Sequence, residues 1–450
     1  MNPTRTGAQV LVDQLKIHSV DHVFCVPGES YLSVLDALHD ASDIKVITCR
    51  HEGGAAMMAD AFGKLQNRPG ICMVTRGPGA TNASAGLHVA MQDATPLIMF
   101  IGQIARPMAE REAFQELDYR RAFGQLAKWV AQIDDASRIP EMVSRAFHTA
   151  TSGRPGPVVL ALPEDMLEDV VSAQDAMPYR VVSTAPGADA MAALKVALER
   201  AERPLMILGG GAWDVDAVAN IQNFAQRACL PVAAAFRRQD RFDNRLPNYV
   251  GHVGIGIDGN LAARVRASDL LLVVGARLGE MTTSGYTLID IPVPRQVLIH
   301  IHPHPEELGR VYQPTLAVTA SPGPFAAALA RLPVQARSAT PMVCARRERS
   351  VQTWDLDTAY KHARQVGLLL LSAMSEALDG DLDRVESIIK VFGLVNATAD
   401  YVDHFKIVNG CSDLFLEVFG DKGTHARTAA GANSLPNGIP VEIEAIVAVR

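Results

Sequence analysis

The chain reads as an α/β protein with two doubly wound parallel-sheet domains and a smaller α+β unit behind them. Three observations point there. Short β-rich apolar runs alternate with helical patterns over two long stretches, which is the signature of parallel βαβ units. Glycine, proline, arginine or histidine follows many of those runs, as expected where strands end at one edge of a sheet. After a basic stretch of little hydrophobic periodicity at 336–356, a separate set of helices and strands closes the chain. With 450 residues, 48% hydrophobic and 20% charged, there is enough apolar material for several cores.

Residues 1–170 make the first unit. A helical pattern from Gly7 to Lys16 leads into a β-rich run, Val20 to Val26, which Pro27 and Gly28 end. Ser30 to Ser42 reads as a helix, Asp43 to Cys49 as a strand, Glu52 to Leu65 as a helix and Gly70 to Val74 as a strand. The loop from Thr75 opens a helix of small residues, Leu97 to Ile101 is a buried strand, and 155–165 is the last strand, bounded by prolines. Polar, Ala-rich sequence at 171–186 is a linker. The second unit, 187–335, runs through a helix at Ala188 to Arg200, a strand at Pro204 to Leu208, a helix at Val215 to Arg227 and a strand at Pro231 to Ala235. It continues with a helix around Asn260 to Ala267, strands at Leu270 to Val274 and Gln296 to His302, and a helix at about Pro322 to Leu332. The unit at 357–450 follows the linker at 336–356. It carries an amphipathic helix, Asp357 to Leu378, a strand at Ile388 to Val395, a helix at His404 to Val418 and β-rich runs at Ala426 to Gly431 and Val441 to Val449.

Composition narrows the function classes. A net charge of -7 gives no overall basicity for nucleic acid or an anionic membrane. Cys25, Cys49, Cys72, Cys229, Cys344 and Cys411 show no C-x-x-C spacing, which argues against a zinc site or a disulfide framework and fits a reducing cytoplasm. The opening MNPTRTGAQV lacks a signal-peptide core, and the longest apolar runs are strand-length, so neither export nor membrane spanning is expected.

Chemistry concentrates at Arg50 to Lys64, RHEGGAAMMADAFGK. Glu52 stands at a strand-to-helix junction, where open α/β sheets place ligands, and the small residues behind it permit close packing. The alternative is a carboxylate that only complements the helix dipole. The loop in TRGPGATN can bring backbone N–H groups to a polar ligand, although it matches no phosphate-binding consensus. Gly209, Gly210 and Gly211 read either as a nucleotide-sized turn or as a tight turn with nothing bound. His300, His302 and His304 alternate without further metal ligands, so a partly exposed strand end is expected there.

The stretches VFCVPGESYL, CRHEGGAAMMADAFGK, VTRGPGATNASAGLHVAMQDATPLIMFIGQ, AFQELD, RPGPVVLALPED and LLVVGARLGE follow the order and spacing of one family. From Gly7 to about Leu332 the chain resembles the first two domains of acetolactate-synthase-like thiamine diphosphate enzymes. The resemblance implies decarboxylation and carboligation of 2-oxo acids through a C2 ylide, with Glu52 sharing a proton with the aminopyrimidine ring. Burial would supply the raised carboxyl pKa that role needs. It further implies that Val26, Pro27, Gly28, Thr75, Gly77, Pro78, Gly79 and Asn82 shape the cofactor pocket, and that Glu29, Arg76, Phe114, Gln115 and Lys128 face substrate. Arg76 and Glu29 depart from the small residues common at those positions, which puts the usual substrate in question. The resemblance leaves the middle domain as a structural or FAD-binding unit and implies a homo-oligomer, a dimer or tetramer.

The family's third domain, whose Gly-Asp-Gly start and later Asn hold Mg²⁺ and the diphosphate, is not recognisable. Asp379-Gly380-Asp381 has the wrong order and GDKG at 420–423 lacks the Asn, so both read as ordinary loops. A partner chain carrying that domain is therefore expected if the enzyme is active. Residues 357–450 resemble instead a partial Rid-family enamine/imine deaminase, a chorismate-mutase-like fold without its first strands. That resemblance places a carboxylate-binding Arg at Arg427 and a water-positioning Glu at Glu444; alternatively Arg427 pairs with Glu442 or Glu444 across the sheet. Two further functional readings stand beside the synthase: a non-catalytic fusion remnant, and imine or enamine hydrolysis by this last unit.

Overall fold

Apolar runs of five to seven residues that vanish completely from solvent form the spine of each large domain. The computed structural model describes residues 4–333, 355–398, 400–432, 435 and 439–450. The linker expected at 336–356 lies outside the described residues as far as 354, and Cys344 with it. The chain divides into two units, Met1–Arg346 and Arg347–Arg450.

The first domain contains β1 (Arg5–Thr6), α1 (Gly7–Ile17), β2 (His22–Cys25), α2 (Leu32–His39), β3 (Lys45–Thr48), α3 (Glu52–Gln66), β4 (Gly70–Val74), α4 (Pro78–Asn82) and α5 (Ser84–Asp93). It continues with β5 (Leu97–Gln103), α6 (Tyr119–Phe123), β6 (Trp129–Gln132), α7 (Ile139–Thr151), β7 (Pro157–Pro163) and β8 (Val170–Val171). Six strands form one parallel sheet in the order β3-β2-β4-β5-β7-β6. Both faces are covered, which is why β5 reads as an unbroken apolar run. Its residues alternate between two cores: Ile98 and Phe100 pack with α1 and α7, while Leu97, Met99 and Ile101 pack with α3 and α5. Thr6 and Gln9 close a capping box at the start of α1. The helix expected from Ser30 begins only at Leu32, because Glu29–Tyr31 is a 3-10 turn pinned by the Tyr31 hydroxyl, which donates to the Val26 carbonyl at 2.5 Å.

Residues 172–187 carry no helix or strand but lie against the first domain. Ala173 is buried, the fully buried Gln14 holds Asp175 and the Ala176 amide, and His18 Nδ1 accepts from the Tyr179 amide. The second domain follows with α8 (Ala188–Arg200), β9 (Pro204–Leu208), α9 (Val215–Arg227), β10 (Val232–Ala234), β11 (Tyr249–His252) and α10 (Gly259–Ala267), then β12 (Leu270–Val274), β13 (Val297–His302), β14 (Leu316–Thr319) and α11 (Pro322–Ala330). Its parallel sheet has the order β11-β10-β9-β12-β13-β14, the doubly wound 3-2-1-4-5-6 arrangement. His300 and His302 are not at an exposed strand end: both are 2% exposed, since β13 is flanked by β12 and β14. His300 Nε2 bonds the Ala276 carbonyl at 2.9 Å, the His304 amide donates to His302 Nδ1, and burial pushes the His302 pKa down to about 3.

The second unit consists of α12 (Leu356–Ala377), β15 (Val385–Asn396), α13 (His404–Phe419), β16 (Ala426–Ala432) and β17 (Val441–Val449). β15 is central, parallel to β16 and antiparallel to β17. The two helices cross closely because Gly410 has no Cβ to strike the Tyr360 carbonyl, and the Tyr360–Asp413 and Arg364–Glu417 pairs tie them together. The acidic glycine turns at 379–381 and 420–423 are a helix end and a 3-10 turn, as the sequence suggests. No described helix of either unit is long and apolar enough to cross a membrane.

Candidate functional site

In the first sheet the strand order reverses between β2 and β4, and the loops leaving their carboxyl ends converge. Such a switch point opens a crevice in doubly wound sheets. Val26 to Glu29 follow β2, Thr75 to Gly79 follow β4, and Glu52 starts α3 after the neighbouring β3. His51 caps that helix by accepting from the Gly53 amide at 3.0 Å. Asn82, at the end of α4, donates through Nδ2 to Glu52 Oε2 at 3.0 Å. One carboxylate oxygen is thus held by protein. Glu52 itself is half-buried within this chain.

Two glycines allow this approach. A Cβ on Gly79 would lie 2.7 Å from Thr75 Cγ2 and 3.4 Å from Glu52 Oε1, and one on Gly28 would strike the Thr75 side chain. Thr75 Oγ1 lies 2.8 Å from the hydroxyl of Ser30, a fully buried residue. Gly77 has φ +44°, and its amide donates to the Tyr119 hydroxyl at 3.0 Å. The Gln115 backbone packs against Gly77, while the neighbouring Phe114 is 73% exposed. Pro78 is the first residue of α4, and Pro27 and Glu29 are exposed. These contacts join Glu52, Asn82, Gly79, Thr75, Gly28, Gly77 and Gln115 into one cluster. Ser30, Tyr31 and Tyr119 belong to its support; as a hydroxyl and two phenols on otherwise apolar stretches they carry no sequence signal that marks them.

Two expected substrate residues behave differently. Arg76 is 12% exposed in its side chain and faces Glu164 at 3.4 Å, so its charge has a carboxylate partner at the end of β7. Lys128 does not face the crevice. Its backbone joins Pro157 at the amino end of β7, the opposite edge of the sheet from Val26 and Thr75, and its Nζ donates to the Thr149 and Ser152 carbonyls that end α7. Burial, with help from Arg154, pushes its pKa down to about 8. Lys128→Met should lower unfolding free energy by about 1–3 kcal/mol, the cost of unpairing buried groups, and leave cofactor affinity unchanged; urea melts and calorimetry separate the two.

The far ends of the helices behind Glu52 and Asn82 are also fixed. Gly86 on α5 lets the helix close against Ala56 on α3. Lys64 bridges Asp60 at 2.8 Å and Asp93 at 2.7 Å. The second domain adds Arg237, 3.3 Å from the Asp93 carboxylate, and Arg238, which donates to the Asp93 carbonyl. Arg154 caps the same end through the Met91 and Gln92 carbonyls. Burial raises the Asp93 pKa, but Lys64, Arg238 and Arg237 leave it below the usual range. In the second domain, the glycines at its own switch point serve packing. A Cβ on Gly210 would strike the Gly275 backbone and one on Gly211 would meet the Ala94 carbonyl, and Trp213 Nε1 donates to the Gly209 carbonyl.

In the last unit, Arg427 Nη1 donates to Asn409 Oδ1 at 2.5 Å and to Ser412 Oγ at 3.2 Å, both on α13. It pairs with neither Glu442 nor Glu444. Arg427 aligns with Val391 and Ala445, on the face covered by the helices, whereas Glu444 aligns with Phe392 on the other face. One copy of the chain therefore does not bring Arg427 and Glu444 together, because neighbouring registers of a strand point to opposite sides.

Comparison with known proteins matches residues 5–122 to the N-terminal TPP binding domain of thiamine pyrophosphate enzymes and residues 191–329 to their central domain. The acetolactate synthase large subunit of Parasynechococcus marenigrum is 33% identical over 360 residues, which is 78% of this chain and 58% of that protein. The acetolactate synthase isozyme 2 large subunit of Escherichia coli is 31% identical over 318 residues, 69% of this chain and 56% of that protein. The mitochondrial acetolactate synthase of Schizosaccharomyces pombe is 29% identical over 339 residues, 70% and 50% respectively. The chain spans about half the length of these curated relatives.

Proposed function

Starting from a chain that carries the N-terminal and central domains of thiamine pyrophosphate enzymes and is homologous to acetolactate synthases, we propose that it supplies the aminopyrimidine half of a thiamine diphosphate site. The enzyme so formed acts on 2-oxo acids by decarboxylation and carboligation. The observation that carries this reading is the Glu52–Asn82 pair at the switch point of the first sheet.

The residues present suit the group. Gly28 and Gly79 remove two Cβ atoms from the crevice wall, and Thr75 and Gly77 shape the loop between them. When bound, thiamine diphosphate stabilises carbanion character at the carbonyl carbon of the substrate. Glu52 holds or releases a proton at the oxygen that Asn82 leaves free, and Asn82 fixes the orientation of that carboxyl group. Glu29, Phe114 and Gln115 rim the crevice on the substrate side, and Arg76, neutralised by Glu164, holds the loop rather than offering a free cation. In this reading magnesium and the diphosphate are held by a diphosphate-binding domain that a partner polypeptide can supply, and this chain itself associates as a homo-oligomer, a dimer or tetramer.

The test is turnover of pyruvate by the purified chain with thiamine diphosphate and Mg²⁺, alone and mixed with a polypeptide carrying a diphosphate-binding domain. CO₂ release and acetolactate formation in the mixture are expected. Absence of turnover in both arms, together with no saturable cofactor binding, would leave a non-catalytic protein as the surviving reading.

A further inference from the structure

We infer that Tyr119 is a positioning residue of the proposed site: its hydroxyl ties the loop after β4, on the cofactor side, to the segment carrying Phe114 and Gln115, on the substrate side, and so sets the affinity for the 2-oxo acid. The inference rests on the thiamine diphosphate reading above and deepens it.

The loop after β4 turns on one peptide unit, between Arg76 and Gly77. Its carbonyl, on Arg76, accepts from the Gly79 amide at 3.1 Å, and its N–H, on Gly77, donates to the Tyr119 hydroxyl at 3.0 Å. Gly77 is buried with φ 44° and ψ -105°, a conformation open to glycine, and a glycine leaves the peptide before it free to reorient unless both ends are held. The Gly79 amide belongs to the crevice wall, where an added Cβ would lie 3.4 Å from Glu52 Oε1. On its other side Gly77 is held by α4, since the Thr81 amide and hydroxyl donate to its carbonyl at 3.0 and 3.2 Å. The bond from Tyr119 is the one that reaches Gly77 from another element.

Tyr119 is itself fixed. It is the first residue of α6, and Asp118 caps that helix by accepting from the Arg120 and Arg121 amides. Its ring is 3% exposed and stacks on Phe123 with centroids 6.1 Å apart. The Leu117 carbonyl accepts from Nε2 of the buried Gln103, at the end of β5, at 3.0 Å. Between this anchor and Gly77 stands Gln115, with φ 65° and a carbonyl that a Cβ on Gly77 would meet at 2.7 Å. Burial pushes the phenol up to about 12, so it stays neutral, and among the described residues it makes no other hydrogen bond. The Glu52–Asn82 pair forms without Tyr119, so loss of the tie moves the substrate rim and spares the proton step.

Tyr119→Phe removes this bond and keeps the ring. In the cofactor-free full chain, amide hydrogen exchange over residues 75–79, read by mass spectrometry, should quicken about tenfold, the strength of one buried hydrogen bond. In the mixture with the partner polypeptide, KM for pyruvate should rise about tenfold while kcat changes by less than about twofold. Lys128→Met, which lowers stability away from the crevice, should leave KM unchanged. Unchanged exchange over 75–79, or a loss of kcat at constant KM, would overturn the inference. The exchange arm needs no cofactor and so separates the two readings: a wild-type chain that binds no thiamine diphosphate would overturn the reading beneath, and the claim on KM with it, whatever the exchange.

Discussion

Replacement of Glu52 by Gln is expected to lower pyruvate turnover by about 10²–10⁴-fold, the usual worth of a positioned general acid or base, with little change in the thermal melt. Gln is nearly isosteric and can still accept from Asn82 Nδ2 through its amide oxygen, so the α3 start and its His51 cap stay in place. What Gln cannot do is exchange a proton at the free oxygen. Asn82→Ala should act differently, by releasing the carboxyl group without removing its chemistry. A smaller loss is expected there, on the order of the tenfold to hundredfold that follows from misplacing a catalytic group. If E52Q and N82A lost activity equally through a lower melting temperature, the pair would be structural.

The second large effect is acid lability of the unit that holds the site. His18 is 3% exposed, accepts from the Tyr179 amide at 3.2 Å, and packs against Phe147 with ring centroids 4.4 Å apart. Burial, then the nearby His148, pushes its pKa down to about 4, and burial pushes His302 to about 3. Both folded values lie below the unfolded value of about 6.5. Between the two the unfolded chain binds protons that the folded chain does not, so stability is full above pH 7 and falls as the pH drops through 6.5. At pH 5 each histidine withdraws about 2 kcal/mol, and the two together about 4 kcal/mol, a large share of a typical 5–15 kcal/mol. Urea melts at pH 7.5, 6 and 5 read this loss directly. A flat profile across that range would show that neither histidine is buried neutral. Because His18 anchors Tyr179, protection of residues 172–187 from proteolysis should fail first.

Sequence patterning reads the interior strands well and misses three of the four edge strands of the two large sheets, all but β3, for a physical reason. Pro204–Leu208, Leu270–Val274, Ala188–Arg200 and Val215–Arg227 stand where their sequence places them, since strands buried on both faces are unbroken apolar runs and their helices keep one apolar stripe. β6, β11 and β14 escape the sequence reading. All three are edge strands, short and half-exposed, with WVAQ, YVGH and LAVT offering little alternation. α7 between β6 and β7 goes unmarked with them.

The site divides in the same way. Glu52 at a strand-to-helix junction is visible from local pattern, but its pairing with Asn82 is a contact across thirty positions that only the packing of α3 against α5 creates. Lys128 shows the opposite failure: nearness to the AFQELD stretch in sequence says nothing about which end of a parallel strand a residue occupies. For His300 and His302 the alternation on β13 is real, but neighbours on both sides turn an expected strand end into core. Arg427 and Glu444 lie on opposite faces within one chain, because a shift of one residue in register turns a side chain to the other side of a sheet.

The proposed aminopyrimidine half-site around the Glu52–Asn82 pair is tested most directly by isothermal titration of the full chain with thiamine diphosphate and Mg²⁺ in the presence of a polypeptide carrying a diphosphate-binding domain. Saturable binding is expected, which E52Q weakens at least tenfold and Lys128→Met leaves unchanged. Binding that ignores Glu52, or the absence of any binding heat, would contradict it.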